Sequence, residues 1–128
     1  MEFNENEIAK IVFECGLQVH KSLGPGLLES AYEECLFFDL VNAGLKVEKQ
    51  KSLPLVYKDI KLDAGYRVDF LIENKLIVEI KAVDALHAIH TAQVLTYLKL
   101  SSCKLALLIN FNVPLFKEGV KRLILGNL

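Results

Sequence analysis

Apolar residues recur along this chain with two periods, and the period changes from one segment to the next. Over residues 5–22, Ile8, Ile11, Val12, Cys15 and Val19 share one face at helical spacing, with Leu17 off that stripe. Gly16 is a weak point inside this helix, because glycine disfavours helix interiors. Leu23-Gly24-Pro25-Gly26 stops it. A second helix is predicted over 27–42, ended at Ala43-Gly44 by a C-cap-like glycine. Alternation over 45–49 predicts a strand, and 53–57 is apolar but carries Pro54, which favours an edge strand. Residues 60–62 read as the start of a strand that Ala64-Gly65 interrupts. Residues 66–72 and 75–83 are two strongly apolar strands joined through Glu73-Asn74 in a tight turn, so they should pair antiparallel. A third helix is predicted over 86–100, followed by a buried strand at 104–110 that could complete a crossover onto a parallel neighbour. Pro114 falls in a loop, and 120–125 adds a last short strand. This order predicts an α/β fold, an α+β mixed β-sheet flanked by helices.

The 128 residues suffice for one compact domain with its own core, so a single domain over 1–128 is expected. At 52% hydrophobic and 24% charged residues, the composition excludes a disordered chain. No apolar run approaches the ~20 residues a membrane span needs, so no membrane partner is expected. The first residues, Met1-Glu2-Phe3-Asn4-Glu5-Asn6-Glu7, lack the basic-then-apolar pattern of a signal peptide, and a cytoplasmic location is the default. Cys15, Cys35 and Cys103 are widely spaced and form no Cys-x-x-Cys pair. They read as reduced, partly buried thiols. The net charge of −1 decides nothing about partners, but Lys46, Lys49, Lys51, Lys58 and Lys61 crowd one segment. That crowd is either a solvated hairpin face or a phosphate-binding stripe.

Three charges break the apolar pattern of the two central strands. Asp69 lies within Tyr66-Arg67-Val68-Asp69-Phe70-Leu71-Ile72, and Glu79 and Lys81 lie within Leu76-Ile77-Val78-Glu79-Ile80-Lys81-Ala82-Val83. A core disfavours charge unless it is paired or coordinates a metal. Glu79 and Lys81 are two apart and project to one side. Two nearby carboxylates repel unless a cation intervenes, and a hard divalent ion such as Mg2+ takes oxygen ligands of this kind. The Ile80 carbonyl, between the two charged side chains, is a further candidate ligand. Lys81 could hold an attacking water or a phosphate by charge. The competing reading is an ion pair that only fixes the fold, with Arg67 a further candidate partner for Asp69.

Helical residues could extend such a site. Glu29 and Tyr32 are three apart on one helix face, although Glu29 taken alone reads first as a favourable first-turn charge. Gln93 and Tyr97 are four apart on the third helix. Gln93 could orient water or phosphate and Tyr97 could bind substrate, while spacing alone favours a polar edge of the core. His87 and His90 form a His-x-x-His pair with no third ligand nearby in sequence, which speaks against zinc. Neither a P-loop nor a Gly-x-Ser-x-Gly elbow is present.

These residues resemble a known family. Asp69 followed by Glu79-Ile80-Lys81 is similar to the D…(D/E)xK core of the PD-(D/E)XK nuclease superfamily. Gly26-Leu27-Leu28-Glu29-Ser30-Ala31-Tyr32 matches the motif of the GxxExxY proteins. Tyr66-Arg67-Val68-Asp69, Ile77 to Val83, Gln93-Val94-Leu95-Thr96-Tyr97-Leu98 and Asn110-Phe111-Asn112-Val113-Pro114 resemble that family as well, in order along nearly the whole chain. Val68 stands where the superfamily's name has Pro. The resemblance implies a restriction-endonuclease-like core, with Asp69 and Glu79 as metal ligands and Lys81 as the catalytic lysine. It also implies Glu29 as the helix carboxylate and Gln93 as the accessory polar residue.

The expectation is a Mg2+- or Mn2+-dependent nuclease hydrolysing phosphodiester bonds of nucleic acid, DNA first. The alternative is a non-catalytic module that binds nucleic acid or protein on the same fold. So small a chain, with no separate DNA-reading element, points to a homodimer or a recruiting protein partner.

Overall fold

A computed structural model describes residues 2–128. Helix α1 (Glu5–Leu23) starts at Asn4, whose side chain accepts the Glu7 N–H at 2.8 Å while Glu7 Oε1 accepts the Asn4 N–H at 3.0 Å. Helix α2 (Glu29–Asn42) begins two residues later than the periodicity predicts. Gly26 has φ +100° and Leu28 is extended, so the chain is still turning where the apolar pattern has already begun. The strands are β1 (Val47–Ser52), β2 (Leu55–Tyr57), β3 (Ile60–Leu62), β4 (Arg67–Ile72), β5 (Leu76–Lys81), β6 (Leu105–Asn110) and β7 (Val120–Ile124). Helix α3 (Ala88–Ser101) lies between β5 and β6, and a short 3-10 turn (Phe116–Gly119) precedes β7.

Five strands form one mixed sheet in the order β1-β4-β5-β6-β7. Only β5 and β6 run parallel, with α3 as their crossover; the other neighbours are antiparallel. Glu73 and Asn74 both take positive φ, +53° and +56°, which is the backbone a tight β4–β5 hairpin needs. β2 and β3 pair only with each other, as the edge reading of Pro54 anticipated. The architecture is the α/β mixed sheet flanked by helices that the sequence predicts, consistent with a restriction-endonuclease-like fold.

The sheet is covered on both faces. Phe70, Ile72, Leu76, Val78, Ile80, Leu105, Leu107 and Ile109 pack with residues of α1 and α2. Leu71, Ile77, Ala106 and Leu108 pack with Val94, Tyr97 and Leu98 of α3. Central strands covered twice read as near-continuous apolar runs, which is why β5 and β6 stand out in the sequence. Gly16 is no flaw in α1. A Cβ there would sit 2.5 Å from the Phe116 ring, so glycine lets Phe116 pack against the helix. Cys15 is half-buried and Cys103 buried, but Cys35 is exposed, contrary to expectation; Tyr32, Leu36 and Leu40 take the inner face of α2. Among the described residues, no helix is long and apolar enough to cross a membrane.

Candidate active site

The regular sheet fails at one residue, Asp69. The β4–β5 ladder runs from Ile72–Leu76 through Phe70–Val78 and stops. On the other edge, β1 pairs Lys49 with Phe70 and Lys51 with Val68, passing over Gln50 and Asp69 between them. Alternation slips here too, since Val68 packs with Leu71 on the α3 side while Phe70 packs on the α1–α2 side. Such an irregularity re-aims side chains. Side chains replace the missing backbone pairs. The Asp69 N–H donates to Glu79 Oε1 at 2.9 Å, and the Ile80 N–H donates to Asp69 Oδ2 at 2.7 Å. Gln50 Nε2 donates to Asp69 Oδ1 at 3.0 Å.

Glu79 is 5% exposed, and Lys81 Nζ lies 3.9 Å from its Oε2. Burial, and then the like charge of Asp69, push the Glu79 carboxyl up to about 8, against the Asp69 N–H and Lys81, which pull it down. The N–H and C=O of one strand residue point to the same edge. Ile80 gives its N–H to Asp69, so its carbonyl faces the same gap, whereas Lys81 turns its carbonyl to the Phe111 N–H at 3.0 Å. Arg67, weighed as a partner for Asp69, is exposed and forms no ion pair among the described residues.

Glu29 opens α2 on an exposed turn, within electrostatic reach of Lys81, Asp69 and the backbone of Ala82 just beyond Lys81. Partial burial raises its pKa; Lys81 opposes this, Asp69 adds to it, and the Ala82 backbone and His90 lower it again. These partners place Glu29 at the same end of β5 as Asp69 and Lys81. The loop after Lys81 is anchored by Asn110, 2% exposed, which accepts the Val83 N–H at 3.1 Å and donates to the Val83 carbonyl at 2.9 Å. That anchor ends β5 at Lys81, two residues before the predicted end.

Tyr97 approaches from α3. Burial, then Glu79, Asp69 and Tyr66, push its hydroxyl up to about 12, while the nearby Gln93 side chain pulls the other way. Its ring meets Tyr66 edge-on at 6.5 Å. Gln93 is exposed and joins the group through Tyr97. His90 Nδ1 accepts the His87 N–H at 3.0 Å, which engages one ring nitrogen in starting α3 and leaves the His-x-x-His pair short of a chelate.

Tyr32, expected as a substrate contact, is 0% exposed. Its hydroxyl donates to the Gly24 carbonyl at 2.5 Å and accepts the Leu27 N–H at 3.1 Å, and its ring stacks on Phe111 at 4.5 Å. It braces the turn that delivers Glu29 and has no surface to offer a substrate. Two lysines of the crowded segment are already paired, Lys49 with Glu34 at 2.6 Å and Lys51 with Glu48 at 2.9 Å.

Gln50 and Glu33 were not anticipated. With Glu29, Ser30 and Asp69 they line a cleft of about 260 Å³. Gln50 Nε2 also donates to Glu33. Glu33 was findable, being four residues after Glu29 on one helix face. Gln50 was not, because only the β1–β4 register sets it opposite Asp69.

Among the described residues, no three His, Cys, Asp or Glu side chains stand ready as a metal-binding group. The carboxylates are turned onto backbone amides instead. The donor set still suits a hard divalent cation. It consists of oxygens from Asp69, Glu79 and Ile80; burial, and then the Asp69 charge, raise Glu79, and a cation would offset both by favouring the ionised form. No curated protein and no solved structure matches the chain. A family match spans residues 6–123 and takes in every element from α1 to the core of β7; by it, the chain belongs to the PD-(D/E)XK nuclease superfamily.

Proposed function

We propose that this chain is a metal-dependent nuclease that hydrolyses phosphodiester bonds, with DNA as its substrate, and that residues 1–128 act as one nuclease domain of the GxxExxY type. One observation carries the reading. Two carboxylates and an ammonium gather in a strand pair that is apolar apart from them and the exposed Arg67, at the point where its ladder opens. Buried charges that serve only the fold are rare, and strongly shifted groups cluster at functional sites. Gly26, Glu29 and Tyr32 support the narrower family: the glycine turns the chain, the tyrosine braces the turn, and the glutamate lines the cleft with Asp69.

A Mg2+ or Mn2+ ion held by Asp69, Glu79 and the Ile80 carbonyl would supply an acidified water and a counter-charge for phosphoryl oxygens. Members of this superfamily generally use divalent ions. Lys81, its ammonium drawn toward Glu79, would donate a hydrogen bond to the attacking water or to a phosphate oxygen. Glu29 would add a carboxylate that senses the charges of Lys81 and Asp69 at the mouth of the site. Tyr97 stays protonated far above neutral pH and can donate to substrate, oriented by Gln93. With one such site per chain, cleavage of both strands of a duplex calls for a homodimer or a recruiting partner. The reading assigns the protein to the cytoplasm.

The test is cleavage of plasmid, linear duplex, single-stranded DNA and RNA with Mg2+ or Mn2+, by wild type and Lys81→Ala. Loss of cleavage in the variant supports the assignment, and undiminished cleavage overturns Lys81 as a catalytic residue. Salt-dependent binding without turnover in any metal would support the binding-module reading instead.

A further inference from the structure

Gln50 is the one residue of β1 whose backbone leaves the strand region. Its φ is +49°, a left-handed conformation that a side chain rarely adopts. The strand continues regularly on both sides, with Lys49 and Lys51 each keeping its partner on β4. The distortion is therefore local to one residue, and that residue faces Asp69. Its side-chain amide nitrogen carries two protons, and both are spent on carboxylates: one on Asp69 Oδ1 at 3.0 Å, one on Glu33 Oε1. Strain held at one position persists where surrounding structure over-determines it, and it collects at functional sites.

We propose that Gln50 is a positioning residue of the candidate metal site: its strained backbone aims one amide between Asp69 and Glu33, fixing the rotamer that Asp69 presents to a divalent cation. This rests on the metal-site reading given above. Asp69 is then specified at both oxygens, by Gln50 at Oδ1 and by the Ile80 N–H at Oδ2. Each oxygen has a second lone pair left for a ligand. The amide also separates two like charges across the 260 Å³ cleft. Burial raises the Glu33 carboxyl, the Gln50 hydrogen bond lowers it, and Asp69 raises it again, so the two acids do sense each other. Without the amide, Asp69 Oδ1 loses its only side-chain donor among the described residues, and the carboxylate is free to swing toward solvent. Partners that orient a ligating carboxylate are commonly worth about 10- to 100-fold in metal affinity.

A purely structural role for Gln50 makes the opposite forecast for one variant. Gln50→Gly suits a positive φ, so it should hold or raise the melting temperature while removing the amide. The experiment is calorimetric titration of Mn2+ alone into substrate-free wild type, Gln50→Gly and Gln50→Ala, with melting curves for all three. The expected result is a Gln50→Gly protein as stable as wild type or more so, binding Mn2+ about 10- to 100-fold more weakly. Gln50→Ala should match it in Mn2+ affinity but melt lower, because alanine keeps the backbone strain. Equal affinity in wild type and Gln50→Gly overturns the positioning role and leaves the metal site standing. No Mn2+ binding by wild type overturns both.

Discussion

The Asp69 N–H donates to Glu79 Oε1 at 2.9 Å, while the residue after Glu79 returns its own N–H to Asp69 Oδ2 at 2.7 Å. The two strands are thus cross-linked by these acids, Glu79 on the Asp69 amide and Asp69 on the Ile80 amide, at the point where β4 and β5 stop pairing. Each backbone N–H that the ladder abandons is satisfied by a carboxylate, so opening the strands leaves neither donor orphaned. The cost falls on Glu79, which is buried beside a like charge. A fold that stores this repulsion is readied for a cation.

Burial of Glu79, and then its repulsion by Asp69, set a pH dependence. The Glu79 carboxyl is raised from an ordinary 4.5 to about 8 in the folded protein. The folded state therefore holds a proton that the unfolded chain has released, and stability falls as pH rises across that interval. The contribution is fully present below pH 4.5 and lost as pH passes about 8. Melting temperatures of the metal-free protein should decline from pH 5.5 to 8.5, and saturating Mn2+ should flatten the decline. A metal-free melting temperature that climbs over this range would contradict the assignment of the shift to Glu79.

Glu79→Gln removes the charge and keeps the shape. Its amide oxygen can still accept the Asp69 N–H. At pH 8 the metal-free variant should melt higher than wild type; at pH 5, where Glu79 is already protonated, the difference should vanish. Cleavage and Mn2+ binding should be lost at both pH values. If the variant instead melted lower at pH 8, the charge would be serving the fold through Lys81, as an ion-pair network requires.

Much of the architecture is legible in sequence because burial on two faces writes itself as unbroken apolar runs. β5 and β6 are readable for this reason, and so is their crossover through α3. Asp69, Glu79 and Lys81 are legible as violations of the same runs. The reach of Glu29 is not, because it depends on a turn three residues upstream and on a loop held by Asn110 from another strand. Gln50 is hidden among lysines until the β1–β4 register sets it against Asp69. Tyr32 misleads by its neighbour: spacing puts it on the face of Glu29, but its hydroxyl turns back to Gly24. Local pattern reports burial well and long-range aim poorly.

Gly16 predicts a packing effect against propensity. In a free helix, Gly→Ala gains about 1 kcal/mol. Here a Cβ would meet Phe116 Cζ at 2.5 Å, and overpacking costs about 1–3 kcal/mol. Phe116 cannot retreat freely, since Phe13, His20 and Phe111 rings surround it at 5.3, 5.8 and 5.5 Å. Gly16→Ala should therefore lower the denaturation midpoint, and adding Phe116→Leu should recover part of the loss. Additive effects in that double-mutant cycle would show that the two positions do not press on each other.

Tyr32→Phe separates bracing from substrate contact. The substitution keeps the ring stacked on Phe111 and deletes only the hydroxyl that bridges Gly24 and Leu27. Both lost partners lie in a loop that water can reach, so the stability cost should be about 1 kcal/mol. Glu29 starts α2 two residues after Leu27, and a looser turn lets its carboxylate drift from the cleft it lines with Asp69. Misplacing a catalytic group by about 1 Å can cost on the order of 100-fold in rate. The expected outcome is a folded variant with a reduced kcat and an unchanged KM for DNA, because a residue buried under Phe111 touches no substrate. A raised KM with kcat intact would return Tyr32 to the binding surface and would mean that the loop over it opens when nucleic acid binds.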